Sequence, residues 1–149
     1  MADPRERTDM PQPMTRVRPT GCPGYSQTLT REPGSVGTAR RLVRVTLAAW
    51  RLEDLADDGV LIVSELASNA VRHARSRSIR VTVTRPETVR VRIGVVDRSR
   101  CLPEFRQPHE EAETGRGLAL VDTLATDWGV DQLPWGKRVW AELPAKERR

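Results

Sequence analysis

Apolar positions first recur at helical spacing between residues 36 and 50. Val36, Ala39, Val43, Leu47 and Trp50 form one stripe, which predicts a helix over 36–50 with Ser35, after Pro33-Gly34, as its N-cap. Leu52-Glu-Asp54 reads as a short connection, with Asp54 placed to cap a second helix that continues to about Ala74. In that helix Val60, Val63, Ala67, Ala70 and Ala74 fall on one side, so the pair predicts an αα-hairpin. The pattern breaks at Arg75-Ser-Arg-Ser78, and the period then becomes two. Ile79, Val81 and Val83 alternate with Arg80, Thr82 and Thr84; after a turn at Arg85-Pro-Glu-Thr88, Val89, Val91, Ile93 and Val95 alternate with Arg90, Arg92 and Gly94. Two such runs predict an antiparallel pair with one apolar and one polar face, as in a sheet that helices cover on one side only.

Gln27-Thr-Leu-Thr30 predicts a further short strand. Residues 98–114 show no periodicity, and a loop of that length in a compact domain is commonly a lid or binding loop. His109 lies within it as a loop residue. Helical spacing returns at Leu118, Val121, Leu124 and Ala125, and the chain closes with two strand-like pieces, Asp127-Trp-Gly-Val-Asp131 and Arg138-Val-Trp-Ala-Glu-Leu143, around a turn at Pro134-Trp-Gly-Lys137. No internal repeat or low-complexity tract interrupts this order. The pieces predict one α+β domain over 25–144. Residues 1–24, with Pro4, Pro11, Pro13, Pro19 and Pro23 among polar residues, are expected to form a flexible tail, and 145–149 a frayed end.

Composition narrows the picture modestly. The 149 residues are 38% hydrophobic but only 4% aromatic, so the core must be built mainly of Val, Leu and Ala. There are 25 Lys+Arg against 20 Asp+Glu, a net charge of +5 that suits nucleic acid, nucleotides or an acidic partner without choosing among them. Cys22 and Cys101 are the two cysteines and lack any CxxC spacing, which argues against a disulfide framework or zinc site and favours a reduced, cytoplasmic setting. No secretory leader and no membrane-spanning run is expected.

The candidate chemistry lies on the polar side of the second helix. Glu65, Asn69, Arg72 and His73 cluster there, with Asp58 one or two turns earlier, and Glu65 and Asn69 are neighbours at i, i+4. A carboxylate, an amide, a guanidinium and an imidazole in a row could hold a metal ion, orient a hydroxyl and meet a phosphate; the same face could also be simply solvated. Asp97 ends the second strand, as a turn-initiating residue or a site carboxylate. Gly115-Arg-Gly117-Leu118 precedes a helix, where glycines let backbone N–H groups approach an anion and the helix dipole favours negative charge, although a plain loop-to-helix junction reads the same way.

In this order the three signals resemble the GHKL (Bergerat-fold) ATP-binding family, and within it the anti-sigma regulatory factors with serine kinase activity. The resemblance covers about Gly34 to Leu143. Glu65-Leu-Ala-Ser-Asn69-Ala-Val-Arg-His73-Ala is similar to the N-box, Asp97 to the first nucleotide box, Gly115-Arg-Gly117-Leu to the second, and Trp135-Gly-Lys-Arg-Val-Trp140 to the closing strand. It implies a two-layer α/β sandwich whose sheet is mixed but mostly antiparallel, with helices on one face. It implies ATP and Mg²⁺ as ligands, with Asn69 binding the metal through its amide oxygen. Glu65 matches the general base, and a ligand to magnesium-bound water is the other role open to it. Asp97 matches the acceptor for the adenine amino group. Gly115, Gly117 and Leu118 belong to the phosphate-binding turn, with Arg116, Arg72 and His73 as added charge. The implied function is phosphorylation of a serine on an anti-sigma-factor antagonist, combined with sigma-factor binding. No direct nucleic-acid or membrane partner is implied, and a homodimer is allowed. The chain departs from the family at Asp97-Arg-Ser99-Arg-Cys101, where Ser99 and Cys101 replace two glycines. That substitution makes a catalytically inactive nucleotide- or partner-binding module the alternative reading.

Overall fold

The computed structural model describes residues 14–15, 23–98 and 118–145. Six strands form one sheet in the order β1-β2-β3-β4-β6-β5, with β1 at Met14–Thr15, β2 at Gly24–Thr30, β3 at Ser78–Glu87, β4 at Arg90–Asp97, β5 at Asp127–Leu133 and β6 at Gly136–Pro144. Two long helices, α1 at Ser35–Ala49 and α2 at Ala56–His73, pack on each other and on one face of the sheet. A further helix, α3, is described over 118–124, where Val121 is fully buried; Leu124 and the following Ala125 pack against the core. The result is a two-layer α/β sandwich. The sheet expected to be mixed is antiparallel at every described pairing. No helix among the described residues is long and apolar enough to cross a membrane.

The strict alternation of β-branched residues explains the sheet. Ile79, Val81, Val83, Val91, Ile93 and Val95 are all at most 2% exposed and form the inner, helix-covered face. Ile62 and Leu66 from α2 and Leu47 from α1 are buried in the same core. Each such aliphatic side chain contributes about 1.5–3 kcal/mol through removal from water. Strands run a little beyond the alternating segments. β3 extends to Glu87 with a register irregularity between Thr84 and Glu87, so the tip is Thr88-Val89 rather than Arg85–Thr88. β2 begins at Gly24, and Met14–Thr15 pairs with Tyr25 and Ser26 inside the segment expected to be a tail. At the other end Ala145 is 2% exposed, and its backbone N–H donates to the Val89 carbonyl at 2.7 Å.

The helix ends differ from the expected caps. Gly34 occupies the N-cap of α1, and Ser35 is already helical, its hydroxyl donating to the Thr30 carbonyl at 2.6 Å. Asp54 does not cap α2: a 3₁₀ turn, Glu53–Leu55, leads in, and Leu55 is the N-cap without a side-chain bond. α1 stops in a Schellman arrangement. The Leu52 N–H donates to Leu47 O at 2.7 Å and the Arg51 N–H to Ala48 O at 3.0 Å, with Arg51 at φ 59°.

The outer face of the sheet is polar but well paired. Glu142, only 3% exposed, accepts from Arg92 Nε at 2.8 Å and Arg90 Nη1 at 3.3 Å. Arg92 also lies over the Trp140 ring at 4.5 Å, so its guanidinium has both a carboxylate and an aromatic face.

Candidate functional site

The end of the sandwich where α2 stops and β3 starts carries the candidate residues. α2 ends at His73 and β3 begins at Ser78; Ile79 pairs with Asp97, the last residue of β4. The C-terminal turns of α2 and the end of β4 are therefore at the same end of the domain. Along β4 the residues Val91, Ile93, Val95 and Asp97 alternate onto the inner face. Asp97 is thus a carboxylate on the helix-covered side, 3% exposed, and has an electrostatic or hydrogen-bonding partner. Burial on the inner face separates it from an ordinary turn aspartate.

On α2 the polar residues sit at the margin of the buried stripe. That stripe comprises Gly59, Ile62, Val63, Leu66, Ala67 and Ala70, wider than the row of Val60, Val63, Ala67, Ala70 and Ala74 read from spacing. The reason is that α2 touches both α1 and the sheet, so it must bury two adjoining rows. At Gly59 a Cβ would lie 3.0 Å from Val43 Cγ1 and 3.2 Å from Leu47 Cδ1, so the bare glycine permits the close approach of the helices. Glu65, Asn69 and His73, three successive i+4 positions, are half-buried along one edge of this stripe, and Arg72 is exposed beside them.

One polar contact and one unpartnered atom define the local chemistry. Arg72 Nη2 donates to Asn69 Oδ1 at 2.7 Å. His73 Nε2 is buried and makes no hydrogen bond among the described residues. An unsatisfied buried imidazole nitrogen costs free energy unless a ligand meets it. The donor set suits magnesium bound chiefly through phosphate and water. It offers hard oxygens on Glu65 and Asn69, and the described residues contain no group of three or more His, Cys, Asp or Glu arranged to hold a metal alone.

Two further residues position these groups and are not singled out by sequence pattern. Arg31 clamps the end of α2: its Nε donates to Ser76 O at 2.7 Å, its Nη1 to Val71 O at 3.0 Å, and its backbone N–H to Arg77 O at 2.8 Å. Cationic donation to a last-turn carbonyl also opposes the helix dipole. Gly136, expected only as part of a turn, lies against the end of β4. A Cβ there would overlap the Asp97 carbonyl oxygen and stand 2.8 Å from Arg98 Cα. Its neighbour Lys137 pairs with Asp97 and shares the inner face. The glycine requirement could be suspected from sequence; its target could not, because it depends on the β4–β6 register.

Leu118, the first described residue of α3, is half-buried. Asp122 on that helix accepts from Trp128 Nε1 at 2.8 Å, tying α3 to β5. Gly115, Arg116 and Gly117, together with Ser99, Cys101 and His109, lie outside the described residues. The structure brings Glu65, Asn69, Arg72 and His73 onto one edge of α2 and sets Asp97 at the same end of the domain.

A family model described as a histidine kinase-like ATPase domain matches residues 29–143, which include β3 to β5, both long helices, the last two residues of β2 and all of β6 but Pro144. No curated protein matches the chain.

Proposed function

Because the chain belongs to the histidine kinase-like ATPase family, we propose that it is an ATP- and magnesium-dependent anti-sigma regulatory factor. In this reading it phosphorylates a serine of an anti-sigma-factor antagonist and binds a sigma factor. The family itself implies ATP as the nucleotide, typically with Mg²⁺. The observation that carries the site is the pairing of Asn69 and Glu65, one turn apart on α2, with a buried inner-face Asp97 at the same end of the sandwich.

Magnesium would neutralise phosphate charge when bound. The chain's own groups do the rest. Asn69 offers its amide oxygen, Asp97 accepts from the adenine amino group, and Arg72, His73 and the glycine-containing 115–118 segment meet the phosphates. The substrate serine oxygen forms a bond to the γ-phosphorus as the bond to the β–γ bridging oxygen breaks. ADP departs with that electron pair, and Glu65 takes the serine proton. Phosphoryl transfer asks mainly for positioning and charge stabilisation, which such a sparse set provides. The phosphoserine product gains about −1.5 to −2 charge, enough to weaken the antagonist's hold by repulsion and desolvation.

Calorimetric titration with ATP and magnesium, followed by a phosphate-transfer assay on a candidate antagonist, tests the reading. Asp97→Asn should weaken ATP binding by roughly tenfold or more, through loss of a charged hydrogen-bond acceptor of about 1.5–3 kcal/mol. Asn69→Ala should remove transfer while the fold persists; transfer at the wild-type rate in that variant would refute the magnesium role. The second reading is a module that binds its partner without catalysis, favoured by Ser99 and Cys101 in place of two glycines. Tight partner binding with no phosphate transfer would select it.

A further inference from the structure

The hydrogen bond from Arg72 to Asn69 has a meaning that the family assignment does not contain. The guanidinium can only donate, so the Asn69 amide must turn its oxygen toward it. At 2.7 Å this is a short, charge-assisted contact. That oxygen is the same atom assigned above to the metal. Among the described residues Arg72 forms no ion pair with a carboxylate, and the Asn69 oxygen is its acceptor. A divalent cation approaching the amide oxygen would meet an unneutralised guanidinium within a few ångströms, a separation at which like charges repel even on an exposed helix edge.

We propose that Arg72 acts as a built-in stand-in for the metal: without nucleotide it occupies the Asn69 amide oxygen and repels a free divalent cation, and it yields that oxygen when polyphosphate draws its guanidinium away. Arg72 is exposed and three residues from Asn69, so a rotation about its side-chain bonds is enough; no backbone movement is needed. Phosphate oxygens are the better acceptor for a guanidinium than a neutral amide, because both partners are charged and the contact can be bidentate. The amide oxygen is released at the moment when phosphate oxygens are present to complete the metal's shell. The device selects the metal–polyphosphate complex over the bare ion and spares Asn69 from idle occupation by cytosolic cations. It rests on the assignment of Asn69 to the metal.

The test uses Mn²⁺ as a paramagnetic probe on the full chain without nucleotide. It follows broadening of the Asn69 side-chain amide resonance by NMR. Arg72→Ala, and separately Arg72→Gln, which keeps side-chain length but not charge, should broaden at a Mn²⁺ concentration roughly tenfold lower than wild type, as expected for loss of a contact worth about one charge-assisted hydrogen bond. Equal midpoints in wild type and both variants, or no broadening of any of the three, would overturn the proposal. Calorimetry with ATP and magnesium on wild type and Asn69→Ala separates the two levels. Metal-enhanced ATP binding that depends on Asn69, joined to equal Mn²⁺ midpoints, removes the Arg72 device alone. Metal-enhanced binding that ignores Asn69 removes the site assignment and the device with it.

Discussion

Thr46 lies 1% exposed on the buried side of α1, and its hydroxyl oxygen has no hydrogen-bond partner among the described residues. A buried hydroxyl without a partner keeps its desolvation cost, so Thr46→Val should raise stability by about 1 kcal/mol. A urea unfolding midpoint that moves upward at constant slope checks it. Asp131 illustrates the opposite case. Arg138 donates to it through Nε at 3.1 Å and Nη2 at 2.7 Å, and this hydrogen bonding holds the carboxyl below the usual carboxylate range. Because the folded form binds its proton less readily than the unfolded one, the pair supports stability above the ordinary carboxylate pKa. That support is lost as pH falls through the lowered folded value. The site is largely exposed, so the effect is small and salt-sensitive. Stability measured from pH 6 down to 2 should fall slightly less steeply in Asp131→Asn than in wild type, and the difference should shrink in 1 M salt.

At the scale of elements, the ending of α1 carries a conformational cost. Arg51 sits at φ 59° in the C′ position, which glycine fills without strain. Leu52, 6% exposed, anchors the motif by folding back on the core beside Leu47. Arg51→Gly should therefore stabilise the protein by about 0.5–1 kcal/mol, the relief of left-handed strain exceeding the added freedom of the unfolded chain. A rise in Tm of a few degrees is the expected reading. Both hairpins and both long helices were legible in the chain because period two and period 3.6 differ plainly, as in Ile79-Arg-Val-Thr-Val-Thr against Val36, Ala39 and Val43. Caps were less legible. Ser35 and Asp54 are good N-cap types, yet the preceding Gly34 takes one role and an inserted 3₁₀ turn displaces the other. Ile62 and Leu66 escaped the single-row reading of α2 because one row describes a helix with one neighbour, and this helix has two.

At the scale of the whole molecule, the site joins elements far apart in sequence. The Glu65–His73 face of α2 and Asp97 stand out in the sequence because residue type, spacing and chain order resemble a family pattern. Arg31 and Gly136 do not, because their partners are set by tertiary contact: Arg31 reaches Val71 and Ser76, and Gly136 meets Asp97 only through the pairing of β4 with β6. Gly136→Ala tests that coupling. The added methyl would collide with the backbone of Asp97, and relief of the overlap should cost about 1–3 kcal/mol. ATP affinity, measured by calorimetry, should fall along with the unfolding midpoint. Loss of stability alone, with nucleotide affinity intact, would separate Gly136 from the site.

Asp97 faces the helices only because Ile79 pairs opposite it. Since side chains alternate sides, removing one residue from β4 upstream of Asp97 would turn this carboxylate toward the solvent and away from the proposed nucleotide site, even if every strand still formed. Changes in chain length are therefore far more dangerous within Arg90–Asp97 than at the Thr88-Val89 tip, and tolerance to insertion or deletion along this hairpin should follow distance from the β4 ladder rather than from the proposed nucleotide site.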